Sequence, residues 1–490
     1  MSTIRRVARN TIVLLFAQAI SYLLAFFYTI YMARYLGPEE YGIVALAVAI
    51  TAIYSILIDF GIQQLLVRDM ATDRDLASHH IINACSIKVV LVVVAYGLMA
   101  IAVNLLGYTQ QTITVIYIFG IATVINSFSQ TFLSVSWALE KMEYLAVGQV
   151  IGAVVLTIGI VFAVKVGQDV ILISLIYIVA NIIVLIYSLL ALGFVIGKKR
   201  TNLRKNIFKS DIQNYFIILK QVWPIGLILL MGIIRLKSDT IMLSVLSGEQ
   251  AVGLYNAAYR FVDMVVLIPA MLMTALFPVM SYYYKHSVDK YKIACTKAAK
   301  YLLILALPIA VYVNCFSSQI VSLTFGQQYQ DSVFALNILI WAGSVMYLGS
   351  LVGNMFITSE NQVKGMLVAA VMLATNVTLN LILIPIISFI GASIALLVTE
   401  VFGITASIML LRGVGQKLNM LEVIKAPTFG IVIMVLLFAT AGFMQFNLVL
   451  TSIVALIFYI YVIIKVGIRK DDLLLLKELI NINNGIKSAD

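Results

Sequence analysis

Of 490 residues, 62% are hydrophobic and only 11% are charged, with a mean hydropathy of +1.05. Soluble domains carry roughly 25% charged residues, so a water-soluble globule of this size would lack polar surface, and the composition reads as a polytopic membrane protein. The net charge of +11 would raise nucleic acid as a partner, but the placement of the basic residues accounts for it as topology.

The chain opens with MSTIRRVARN and an apolar run from about Thr11 to Tyr31. The charge order is that of a signal peptide, but the run is too long and no small-residue cleavage site follows, so it reads as a retained first span. Charged and Gly/Pro punctuation then divides the chain into fourteen helical spans. Their cores are expected at 10–33, 42–65, 81–106, 112–138, 145–164, 170–196, 221–246, 252–281, 301–316, 333–358, 366–385, 390–411, 426–444 and 448–467. The basic linker 197–216 carries apolar residues at Leu203, Ile207 and Ile212 and is expected to lie on the anionic inner leaflet. A cytoplasmic amphipathic tail, 468–490, follows the last span, with DDLLLLKELI at its start.

With the N-terminus inside, 27 of the 33 Lys and Arg fall in inner segments, counting Lys465 at the inner end of the last span. Only Arg34 and Lys165 fall outside, and Lys88, Arg235, Lys237 and Arg260 lie within spans. That asymmetry puts both termini in the cytoplasm of a multi-pass plasma-membrane protein. The longest outer loop, 316–332, is too short to hold a soluble domain. The three cysteines, Cys85, Cys295 and Cys315, fall in different segments and indicate neither disulfide nor metal cluster. His79 and His80 read as part of an ordinary inner loop.

An internal repeat is visible. LGPEEYG (36–42) follows span one and SGEQAVG (247–253) follows span seven, and Gly37 and Gly42 match Gly248 and Gly253 at an offset of 211 residues. Six spans per repeat preserve orientation, so the two halves are related by an axis along the membrane normal. The expected architecture is all-α: a lobe at 1–196, a linker, a second lobe at 217–411, and two extra spans at 412–467. Lobes of this kind rock about a site between them.

The run RLKSDTIMLSVLSGEQAVGLYNAAYRFVDMVVLIPAMLMTALFPVMS (235–281), with YMARYLGPEEYGIVALA (31–47), resembles the Wzx-type polysaccharide flippases of the multidrug/oligosaccharidyl-lipid/polysaccharide exporter superfamily. The resemblance implies a MATE-like fold. It also implies transport, without catalysis, of an oligosaccharide on a polyprenyl or dolichyl (di)phosphate carrier from the cytoplasmic to the outer leaflet. The partners it implies are that lipid-linked oligosaccharide, the bilayer and glycan-assembly proteins, with the transporter itself a monomer. No cofactor is expected beyond a coupling proton or sodium ion.

On this resemblance the intramembrane charges acquire roles. A charge at the bilayer centre costs about 2.5–3.5 kcal/mol even on the lenient insertion scale, and a phosphate-bearing headgroup in a wet cavity is a reason to keep one. Arg260 and Arg235 are the expected phosphate contacts, since guanidinium forks match phosphate oxygens, with Lys237 and then Lys88 behind them. The competing reading is internal pairing, Arg235 with Asp239 and Arg260 with Asp263. Asp239, Asp263, Glu400 and Asp59 are the candidates for ion coupling. A polar stripe in span four (Asn126, Ser129, Gln130, Ser134) and the Asn376–Asn380 pair in span eleven could meet sugar hydroxyls or bond between helices. The first span carries no charge, unlike flippases of peptidoglycan precursors, which argues against such a substrate.

The alternative reading is a cation-coupled multidrug exporter of the same fold, which would call for an acidic or aromatic cavity. A membrane glycan polymerase would need a catalytic outer loop, and a channel a filter-like repeat.

Overall fold

The computed structural model describes residues 3–72, 77–196, 212–413, 415–416, 418–443 and 448–467. Among them there is no strand. The helices are α1 (Thr3–Asp59), α2 (Ile62–Thr72), α3 (Ala77–Leu105), α4 (Gln110–Ala138), α5 (Met142–Val166), α6 (Val170–Ile196) and α7 (Ile212–Ser247), followed by α8 (Glu249–His286), α9 (Val288–Cys315), α10 (Ser317–Thr324), α11 (Ser332–Thr358), α12 (Gln362–Gly413), α13 (Met420–Phe443) and α14 (Leu448–Val462). Two of them are double: α1 bends at Gly37 and α12 breaks at Ile387–Ser388. Ten of the described helices, with the double α1 and α12 counted once each, are long and apolar enough to cross a membrane, and α14 is a shorter apolar helix. The chain is a polytopic all-α membrane protein.

The differences from expectation lie at the ends of spans. Span two stops at Asp59, because Phe60 and Gly61 adopt φ values of 44° and 88° before the amphipathic α2 begins. Span nine, expected at 301–316, starts at Val288. Hydropathy breaks off at the first lysines, whereas the helix continues and encloses Lys300, which is only 2% exposed. That residue therefore leaves the inner-loop count. Residues 38–42 are helical, with only Gly37 out of helical conformation (φ 81°, ψ 173°). The outer segment 316–332 folds into α10 and a short 3-10 turn, Gln327–Tyr329. Most of the expected interfacial linker and all of the tail lie outside the described residues, as do the side chains of His79 and His80.

The chain forms two compact units, Met1–Asn256 and Ala257–Asp490, with the division falling inside α8. In the first, α4 packs along α6, and α1 packs on α5, α4 and α7. One end of it is closed by Ile62, Leu66 and Met70 of α2 against Ile87 of α3 and Val135 of α4. In the second, α11 packs on α12 and α9, and α13 on α9 and α14. Tyr291, Tyr347 and Met355 sit in the middle of that core.

The repeat has a physical expression. Gly37 and Gly248 both adopt left-handed φ, 81° and 83°, a conformation open to glycine at little cost, and each starts a new helical segment. Gly42 and Gly253 then form a swapped pair. A Cβ on Gly42 would land on the carbonyl of Glu249, and a Cβ on Gly253 would land on the carbonyl of Pro38. Pro38 and Glu249 are themselves 211 residues apart. Each half of the repeat thus supplies a glycine that receives the other half's carbonyl, in the manner of small-residue helix contacts in membranes.

Candidate functional site

Two cavities lie in the first unit. One, of about 480 Å³, is lined by the second leg of α1, by α2, α3, α4 and α6, and by Leu229 of α7. The other, of about 460 Å³, is lined by the first leg of α1 with α4, α5 and α6. Both fall within the range that takes small ligands. They share Asn126 and Gln130 of α4 and Tyr177 and Asn181 of α6.

At the edge of the first cavity Asp59 meets Lys88, with Oδ1 2.7 Å from Nζ and side-chain exposures of 19% and 1%. Lys88 also donates to the Ser127 carbonyl and to Ser127 Oγ, both at 3.2 Å. The ammonium therefore sits between the carboxylate and the two Ser127 oxygens. Asp59 stands where local rules would not place it. It is the last residue of α1, where the helix dipole disfavours an anion, and the non-glycine residue after it has positive φ, a conformation that costs of order 1–3 kcal/mol. Lys88 offsets the first penalty. Behind the break, a Cβ on Gly226 of α7 would come within 2.9 Å of both the ring and the carbonyl of Phe60.

The stripe expected on α4 divides. Ser129 and Ser134 are fully buried and bond back to their own helix, at 3.0 Å to Ile125 O and 2.7 Å to Thr131 O. Asn126 and Gln130 instead line both cavities, Gln130 Nε2 donating to Asn126 Oδ1 at 3.3 Å. Opposite them, Asn181 donates to the Tyr177 carbonyl at 2.8 Å, and the Tyr177 ring lies 4.5 Å from that of Phe119. Gln63 and Gln64 complete the first cavity, and Gln18 and Gln149 the second. Reading by sequence missed these glutamines, Asn181 and Tyr177. The available signal was a lone amide in an otherwise apolar span, as in IVANIIV around Asn181.

The charged run on α7 lies outside both linings. Arg235 and Lys237 are half-buried. Asp239 is 2% exposed and accepts the Tyr255 hydroxyl at 2.9 Å. Nearby, Asn256 Nδ2 donates to Thr240 Oγ1 at 3.3 Å. Ser244 meets Tyr108 at 2.7 Å and Thr112 donates to Glu249 at 3.2 Å, so the α7–α8 hairpin is stitched to itself and to the start of α4.

In the second unit Arg260 Nη1 lies 3.5 Å from Asp263 Oδ2, both partly exposed, which is the internal pair that competes with a substrate role. Asn376 and Asn380 are fully buried and joined by a 3.1 Å bond. The legs of α12 meet with Gly391 against Leu383 and Gly403 against Met372. That register puts Glu400, 3% exposed, within about a turn of Asn376. The structure thus gathers Asp59, Lys88, Asn126 and Gln130 around one cavity of the first unit, and joins Asn376 to Asn380 in the second.

Comparison with known proteins agrees on the kind of molecule. The sequence profile described as "polysaccharide biosynthesis protein" matches residues 7–284. The "Putative O-antigen transporter" of Escherichia coli (strain K12) is 22% identical over 420 residues, spanning 82% of this chain and 96% of its own. Among solved structures, the lipid II flippase MurJ in an inward closed conformation superposes with a TM-score of 0.72 at 14% identity, covering 91% of this chain and 97% of its own. An inward-facing MATE-family multidrug resistance transporter of the MOP superfamily gives 0.68 at 17% identity, covering 81% and 96%.

Proposed function

Because the chain belongs to the polysaccharide biosynthesis protein family, we propose that it is a flippase. Its cargo is an oligosaccharide on a polyprenyl or dolichyl (di)phosphate, carried from the cytoplasmic to the outer leaflet of the plasma membrane by alternating access of lobes 1–196 and 217–411. The observation that carries this reading is the amide lining of the two cavities in an otherwise apolar chain. Sugar hydroxyls both donate and accept, as Asn and Gln side chains do. A drug exporter for organic cations would call for an acidic or aromatic cavity, and these linings are rich in amides, with the charge of Asp59 balanced by Lys88. Arg260, Arg235 and Lys237 are assigned to the phosphate, and Asp239, Asp263 and Glu400 to ion coupling.

Vesicles carrying the protein and given lipid-linked oligosaccharide in one leaflet should expose it to a lectin at the other face, and should retain organic-cation drugs. Drug efflux without lipid movement would overturn the reading. In the same assay Arg260→Ala should weaken binding by roughly 10- to 100-fold, the worth of a charge-assisted bond of about 1.5–3 kcal/mol. Transport should stay lost when Asp263→Ala is added. Full rescue by the double change would reduce Arg260 to a structural partner.

Orientation is tested separately. Gln328 lies exposed in the turn after α10. A cysteine placed there should be labelled from outside intact cells and one at Lys205 should not; the reverse pattern would invert the topology.

A further inference from the structure

The cavity lining says more about the ligand than the family does. Among the residues lining the first cavity the only two charges are Asp59 and Lys88, and they cancel; none of those lining the second is charged. Lys88, an expected phosphate contact, is 1% exposed, lies 2.7 Å from Asp59 Oδ1 and donates to Ser127 O and Ser127 Oγ. A phosphate could reach it only by breaking a buried ion pair. Asp59 Oδ2 carries no bond among the described residues and belongs to the cavity's lining. The same holds for the Nδ2 of Asn126, the Oε1 of Gln130 and the Oδ1 of Asn181, since each of these amides spends its other group within the protein.

We propose that the two cavities are adjoining subsites for uncharged sugar rings, with Asp59 as the anchor for a pair of neighbouring hydroxyls and the carrier's phosphate held elsewhere. The shared wall of Asn126, Gln130 and Asn181 presents donors and acceptors to both sides, as a chain of hydroxyl-bearing rings requires. Tyr177, part of both linings and backed by the buried Phe119, supplies apolar ring surface for the C–H face of a pyranose. Lys88 acts as a positioning residue: it holds Asp59 in place at the end of α1. This assignment rests on the glycan reading above and specifies which part of that ligand the first unit holds.

The test uses the full-length protein in lipid nanodiscs and three probes. They are lipid-linked oligosaccharide extracted from the source cells' membranes, the glycan freed from it by mild acid, and the bare polyprenyl phosphate. Freed glycan should compete with the intact lipid for the wild-type protein. Asn181→Ala and Gln149→Ala, which leave the ion pair untouched, should each weaken the glycan roughly 2- to 10-fold and leave polyprenyl phosphate binding unchanged. Asp59→Asn combined with Lys88→Met, which keeps the cavity neutral, should abolish competition by the freed glycan. If the intact lipid binds but both alanine variants bind glycan as the wild type does, or weaken polyprenyl phosphate equally, the subsites are wrong and the flippase reading stands. If the intact lipid does not bind the wild type, the flippase reading falls, and the subsites with it.

Discussion

Asp59→Ala should be among the most damaging single substitutions in the first unit. It leaves Lys88, 1% exposed, without its counter-ion, and stranding one member of a buried pair costs about 3–5 kcal/mol. The lower end applies, because Asp59 opens onto a cavity that water can enter. Lys88→Met should cost less, since the acid left behind is 19% exposed and can be hydrated. The double change Asp59→Asn with Lys88→Met should recover most of the loss, because the partners fail as a unit. Urea titration of the detergent-solubilised protein would measure all three. Strictly additive losses would mean that the pair does not hold the end of α1.

Gly253→Ala should lower stability by about 1–3 kcal/mol, the usual cost of overpacking, because the added methyl meets a backbone carbonyl that cannot rotate away. Gly42→Ala should cost about the same, as the arrangement is swapped between repeats. The informative variant is the double. Separating the two helical segments once relieves both clashes, so the double mutant should lose clearly less than the sum of the singles. Additive costs would show that the two contacts yield independently. Gly97 and Gly232, with open space where a Cβ would go, are the controls, and alanine there should be neutral or mildly stabilising.

Much of this was legible in the sequence because a membrane leaves few choices. Backbone groups in lipid must be satisfied within the segment, so apolar runs of sufficient length give helices. Span ends were less legible. Hydropathy cannot see that Lys300 is enclosed by its neighbours, or that Phe60 takes a left-handed conformation to stop α1. The site was half legible. Intramembrane charge flagged Asp59 and Lys88 individually, but nothing linear joins residues 29 positions apart into an ion pair. Asn126 and Gln130 stood out by helical spacing, as did Ser129 and Ser134, and only the packing of α4 against α6 separates cavity-facing amides from buried hydroxyls. Gln149 and Asn181 were passed over because a single amide has no partner at helical spacing to mark it.

The junction at Phe60 is also a mechanical linkage. Phe60 is wedged against α7 where Gly226 leaves no room for even a methyl group, and its chain neighbour, Asp59, is part of the cavity wall. At that level α7 cannot advance toward α1 without pushing on Phe60, and Phe60 is one peptide bond from the carboxylate. The following Gly61, at φ 88°, turns the chain into α2, where the Leu65 N–H donates to the Gly61 carbonyl at 3.3 Å. The contact between α7 and Phe60 thus adjoins a residue of the cavity wall.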